Sequence, residues 1–164
     1  MKIEDVAIYL SQARMIDLSK KNAMDEGLGD KIRFEVGSAY SLPCEDHSID
    51  LILCINTLHH LERPVDFFNE VERTLKGEGG FVIVDFRRDT PRVLVWMFDL
   101  LWKVFFGRHA KAKKGFLESV RSSYTVEECR DFLEQSRLRD WKLYTRTVEM
   151  WVESTRLKER RRRW

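Results

Sequence analysis

Three short apolar runs dominate the pattern of this chain: Ile32-Arg33-Phe34-Glu35-Val36, Ser48 to Ile55, and Phe81-Val82-Ile83-Val84-Asp85-Phe86. The first alternates like a half-buried strand. The second is nearly continuous, which predicts a central strand covered on both faces. Between the second and third, Pro64 stands where a helix can start without losing a hydrogen bond. Val65, Phe68, Val71 and Leu75 then repeat on one helical face, and Gly77, Gly79 and Gly80 are expected to end that helix. Strand, helix, strand is the order of a crossover between parallel strands, hence of an α/β sheet. Such sheets take ligands beyond the carboxyl ends of their strands. A site is therefore expected at Gly37-Ser38-Ala39, at Asn56-Thr57-Leu58-His59-His60 and at Asp85.

The flanks read less uniformly. Val6 to Leu10 suits a short strand followed by a helix over about Gln12 to Glu26; alternatively Ile3, Val6, Leu10 and Ala13 share one face of a single helix. Gly27-Leu28-Gly29 follows a helix and precedes a strand, the reverse of a phosphate-binding loop, and is expected to be a helix C-cap. Val93 to Phe106 is apolar except at Asp99 and Lys103, which with Arg92 make one narrow polar stripe. Such a helix is expected to bury most of its circumference. Gly107 should stop it, with a basic loop after it. Thr125 and Glu128 have capping-box spacing, and Trp141–Tyr144 and Glu149–Val152 alternate like two last strands. The tail Arg160–Arg163 is expected to be frayed and solvated.

Length and composition bound the class. A chain of 164 residues with 43% hydrophobic and 34% charged residues suits one globular domain. A net charge of only +2 argues against a general polyanion binder, although cations cluster at Arg108–Lys114 and Arg156–Arg163. Cys44, Cys54 and Cys129 are odd in number and lack metal-ligand spacing. With nothing resembling a secretory signal, they predict free thiols, no metal site and a cytoplasmic setting, with Cys54 a small core residue.

Four stretches in order carry a resemblance: Gly37 to Pro43, Ser48-Ile49-Asp50-Leu51-Ile52, Leu58-His59-His60-Leu61, and Leu75 to Asp85. Together they resemble the class I S-adenosylmethionine-dependent methyltransferases, with the closest look to the small-molecule group typified by quinone-biosynthesis enzymes. The likeness covers residues 6 to 86, and the helix and strands after Tyr124 fit the family's C-terminal end. It implies a doubly wound, mostly parallel, Rossmann-like sheet with flanking helices, and S-adenosylmethionine as cofactor. It also implies a cofactor-binding set of Tyr9, Ser38, Ala39, Tyr40, Asn56, Thr57 and Leu58. The family usually holds adenine with an aspartate and a following amide, where this chain has Ser38 and Ala39. It grips the ribose with an acidic residue, where this chain has Tyr9, which can make one such hydrogen bond but not two. The family's first strand and glycine-rich loop would precede residue 6, where five residues stand. The fold is thus expected to be incomplete on its N-terminal side. Either the sheet is rearranged, a homodimer or partner chain completes it, or this is a shortened relative with little cofactor binding.

Methyl transfer from a sulfonium needs alignment and exclusion of water, and a base where the nucleophile must lose a proton. His59 and His60 are the candidate bases; the plainer roles are capping or packing under the next helix. Asn56 and Thr57 are placed to meet the methionine part of the cofactor or to stabilise a turn, and Asp85 is a candidate contact or a turn former. Val93–Phe106 and the basic stretch after it suit a lid over an apolar acceptor, a patch on an anionic membrane surface, or a helix packed on the sheet. Nucleic acid is not expected as a partner, because the terminal arginines lack interleaved aromatics.

One domain, 1–164, is expected: a cofactor-binding half at 6–86, a lid or insertion at 87–123, a closing helix and strand pair at 124–155, and a basic tail at 156–164. The function expected is methyl transfer to a small, apolar acceptor; the alternative is a degenerate binding or scaffold protein without cofactor.

Overall fold

Strand β1 (Val6–Leu10), helix α1 (Ala13–Asp25) and strand β2 (Ile32–Val36) follow one another at the start of the chain. The two strands pair in parallel, from Val6 opposite Ile32 to Leu10 opposite Val36. Of the two readings of the first residues, the strand-then-helix one holds. Helix α1 buries Ile16 and Ala23 seven residues apart. It ends as a glycine C-cap should: Gly27 has φ +69, its N–H donates to the Met24 carbonyl at 3.0 Å, and the Leu28 N–H donates to Ala23 at 2.8 Å. The structure is a computed structural model that describes residues 6–10, 13–106 and 110–155. These elements belong to one unit, Met1–Glu45; the rest form a second, Asp46–Trp164.

The second unit runs strand β3 (Ile49–Ile55), a short 3-10 turn (Leu58–His60), helix α2 (Pro64–Thr74), strand β4 (Leu75–Phe86), helices α3 (Arg92–Phe106), α4 (Ala110–Ser122) and α5 (Val126–Gln135), and strands β5 (Trp141–Arg146) and β6 (Glu149–Ser154). Its sheet has the order β3-β4-β6-β5. Strands β3 and β4 are parallel across α2, while β6 runs antiparallel to both β4 and β5. The α/β class with flanking helices is as expected; the larger sheet is mixed, because β5 and β6 are joined by a tight turn at Thr147 (φ +50). Phe68, Val71, Phe81, Ile83, Leu133, Leu138, Met150 and Val152 form the core, each almost fully buried. Helix α5 opens with the predicted capping box: the Glu128 N–H donates to Thr125 Oγ1 at 3.1 Å, and the Thr125 N–H donates to Glu128 Oε2 at 2.7 Å.

Several expectations are corrected. The glycines after α2 do not end the helix; it ends at Thr74, and the chain passes directly into β4 with Leu75 as its first residue. Ile49 pairs with Leu75 and Leu51 with Gly80, so the glycine stretch bulges from the ladder. A Cβ on Gly79 would lie 2.8 Å from Leu75 Cγ, so glycine serves close approach there. Strand β3 is not covered on both faces: it is the edge strand of its sheet, and Leu53 and Ile55 are about 60% exposed. Helix α3 forms where expected but does not bury most of its circumference, since Val93, Trp96, Met97, Leu100 and Leu101 all face solvent. The basic stretch from Ala110 onward lies in α4 rather than in a loop. The arginine tail lies outside the described residues.

Candidate functional site at the strand ends of the second unit

Parallel pairing of β3 and β4 brings the residues after Ile55 beside the end of β4. The Asn56 N–H closes the ladder by donating to the Val84 carbonyl at 2.8 Å. The chain then turns sharply, with Asn56 at φ +51, a left-handed conformation that asparagine tolerates better than most residues. Thr57 Oγ1 donates to the Ile55 carbonyl at 3.0 Å, and the turn Leu58–His60 follows. Leu58 is fully buried and acts as its anchor, while Asn56, Thr57 and His60 face solvent.

Asp85 organises this rim. Its Oδ2 accepts the His59 N–H at 2.8 Å, and its Oδ1 accepts His59 Nδ1–H at 2.7 Å and the Phe86 N–H at 2.7 Å. Both side chains are almost wholly buried, at 2% and 0% exposure. A carboxylate offers only lone pairs, so Nδ1 carries the proton that faces it, and in the neutral tautomer so set the lone pair is at Nε2. Among the described residues nothing hydrogen-bonds that buried Nε2. The ring of His60 lies 4.0 Å from that of His59, tilted by 47°. This is a histidine with its tautomer set by an aspartate and one basic atom unspent.

Aromatic side chains close in around it. The ring of Phe86 is 6.3 Å from His59 and meets Phe116 of α4 edge-on at 5.3 Å, and Phe98 of α3 is 6.3 Å from Phe116. Tyr124 donates its hydroxyl to the Leu61 carbonyl at 2.6 Å, tying the far side of the turn to the start of α5. Burial, with the Asp85 charge second, pushes the Cys54 thiol up to about 12, so it stays protonated near neutrality. Burial also pushes Cys129 to about 12. None of Cys44, Cys54 and Cys129 is in a disulfide.

The residues of the first unit expected to bind cofactor lie at one end of its own strand pair. Tyr9 stands opposite Glu35 in the β1–β2 register. After β2 the chain turns at Ser38: its Oγ accepts the Tyr40 N–H at 3.2 Å, and its carbonyl accepts the Ser41 N–H at 3.1 Å. Within this unit the carboxyl ends that carry Tyr9 and Ser38-Ala39-Tyr40 are adjacent; within the other, Asn56, Thr57, Leu58, His59, His60 and Asp85 are gathered. Sequence reasoning underweighted Asp85, whose signal was a lone carboxylate at the end of an otherwise apolar run. Phe86 and Phe116 had no signal beyond hydrophobicity. Among the described residues no cluster of histidine, cysteine and carboxylates could hold a metal ion.

Crossover-linked parallel strands closed by an antiparallel hairpin, with polar residues at the strand ends, make a Rossmann-like α/β architecture. Residues 6–83 match the family model described as "Methyltransferase domain". The chain is 37% identical over 71 residues to the uncharacterised methyltransferase YcgJ of Bacillus subtilis (strain 168), across 43% of this chain and 28% of that protein. It is 23% identical over 142 residues to the ubiquinone/menaquinone biosynthesis C-methyltransferase UbiE of Hahella chejuensis, across 82% of this chain and 57% of that one. It therefore spans just over half the length of the longer match and less of the other. A SAM-dependent methyltransferase from Aquifex aeolicus superposes with a TM-score of 0.66 at 17% identity, across 91% of this chain and 67% of that one. Residues 6–83 are therefore similar in sequence to methyltransferase domains, and the fold is that of solved SAM-dependent methyltransferase structures.

Proposed function

We propose that this chain works in S-adenosylmethionine-dependent methyl transfer to a small, apolar acceptor. One observation carries the reading: within a domain similar to methyltransferases, Asn56, Thr57, His59, His60 and Asp85 converge at the carboxyl ends of a parallel strand pair. The residues suit the cofactor's chemistry. The Asn56 carboxamide, exposed at the turn, both donates and accepts, as an amino-acid group requires. Ser38 accepts one hydrogen bond from Tyr40 and retains an O–H to donate.

When bound, the cofactor supplies an electrophilic methyl group on a sulfonium. By the family resemblance, Asn56 and Thr57, with the backbone at Leu58, would hold its methionine part. On the same resemblance Tyr9 would meet the ribose, and Ser38 and Ala39, with Tyr40 beside them, the adenine. Phe86, Phe98 and Phe116 exclude water and favour an apolar acceptor. Where that acceptor is protic, His59 Nε2 takes its proton while Asp85 holds Nδ1–H, and His60 stands at the rim. Free thiols at Cys44, Cys54 and Cys129 suit the cytoplasm.

Calorimetric titration with S-adenosylmethionine and with its demethylated product tests the reading. Binding heat with a dissociation constant at or below the millimolar range supports it; no heat at millimolar ligand removes it for this chain. A second reading, a binding or scaffold protein without cofactor, is favoured by Ser38, which stands where the resembled family usually has an aspartate and lacks its charge. The same titration separates the two, and a solution mass of two chains or more would favour a partner that completes the sheet.

A further inference from the structure

Helix α3 has two faces, and both are apolar. Leu94, Val95 and Phe98 are half-buried, with the Phe98 ring near Phe116. On the other side, Val93 is 61% exposed, Trp96 62%, Met97 43%, Leu100 43% and Leu101 47%. These five recur at spacings of three and four, so they line one stripe about two turns long. Single exposed apolar residues are ordinary; a contiguous stripe containing a tryptophan is not.

Charge says what suits that stripe. Arg92 opens α3 and is exposed. From Leu100 to Leu117 the sequence carries Lys103, Arg108, Lys111, Lys113 and Lys114 and no acidic residue, in a chain whose net charge is only +2. In sequence, cations thus lie on both sides of the exposed stripe, three of the six in α4, with Asp99 the one acidic residue of α3. Two copies packed antiparallel along α3 would set these like charges against each other. A nucleic acid would be met by Leu, Met and Val rather than by donors. An exposed apolar stripe with a tryptophan, in a stretch of sequence rich in lysine that attracts anionic lipid, suits a helix lying in a membrane interface. No helix among the described residues is long and apolar enough to cross a membrane.

We infer that the Val93–Trp96–Met97–Leu100–Leu101 stripe of α3, with the basic stretch of α4, docks the protein onto an anionic lipid surface. The inference rests on exposure and charge and stands apart from the methyl-transfer reading. Sedimentation with phosphatidylcholine vesicles is compared with vesicles in which about a third of the lipid is phosphatidylserine. Partition onto the anionic vesicles is expected to be at least about tenfold stronger and to fall with added salt. Trp96→Glu with Leu100→Glu removes the apolar half of the contact and should abolish binding to both vesicle types. Lys113→Glu with Lys114→Glu should remove the preference for anionic lipid. Trp96 and Leu100 are exposed, and circular dichroism checks that each variant is folded. Failure to sediment with either vesicle, or equal binding to both, overturns the inference. So does a wild-type dimer in solution that Trp96→Glu converts to monomer, which would assign the stripe to a second copy of the chain.

Discussion

Helices α2 and α3 lie within the same unit and are both rich in large apolar residues, yet they meet water differently. Helix α2 keeps Phe67, Phe68 and Val71 at 6% exposure or less, whereas α3 leaves five large apolar side chains between 43% and 62% exposed. The difference lies in the opposite face. Helix α2 turns Asp66, Glu72 and Arg73 outward, so one stripe is buried and the other hydrated. Helix α3 has too few polar residues to make a hydrated face. The lesson is that an apolar face states a demand for cover without naming what supplies it. Helix α5 lies against α2; for α3, Phe116 lies near Phe98 on one side and the other faces outward.

Three substitutions sharpen that contrast. Phe68→Ala, at a fully buried position of α2, is expected to cost about 3–5 kcal/mol of unfolding free energy in urea titration, from lost transfer energy and the cavity left behind. A loss below 1 kcal/mol, on the order of a surface change, would mean α2 is not packed as described. Asp85→Asn should cost about 2 kcal/mol, because one carboxamide oxygen replaces two charged acceptors that serve three N–H groups. Nitrogen NMR of the histidines reads the same change: His59 should lose its fixed Nδ1–H tautomer. A variant that keeps both stability and tautomer would show that Asp85 does not orient the ring. Trp96→Ala, by contrast, should shift stability by no more than about 0.5 kcal/mol. A loss as large as that of Phe68→Ala would show that the outer stripe of α3 is covered in solution.

Much of the architecture was legible before any coordinates, for local reasons. Period-two alternation from Ile32 to Val36 became β2, the helical spacing from Pro64 became α2, and Thr125 with Glu128 became a capping box. Gly27 became a C-cap. Each signal lies within a few residues, where backbone sterics and hydrogen-bonding reach decide the outcome alone. The strand-end rule likewise marked Asn56, Thr57, His59 and His60. Where local signals misled, a distant partner had prevailed: Gly77, Gly79 and Gly80 read as a helix stop but sit in β4 because β3 pairs with that strand. Lys111 to Lys114 read as a loop but lie in α4.

Local pattern, then, decided which segments are strands and helices and which end of each could carry chemistry. Tertiary structure decided which side chains meet. His59 and Asp85 are 26 residues apart, and no periodicity couples them; only parallel pairing of β3 with β4 puts the carboxylate under the ring and leaves Nε2 unspent. The outer stripe of α3 is likewise a property of what packs around a helix rather than of the helix itself, because burial is a relation between elements while propensity belongs to one.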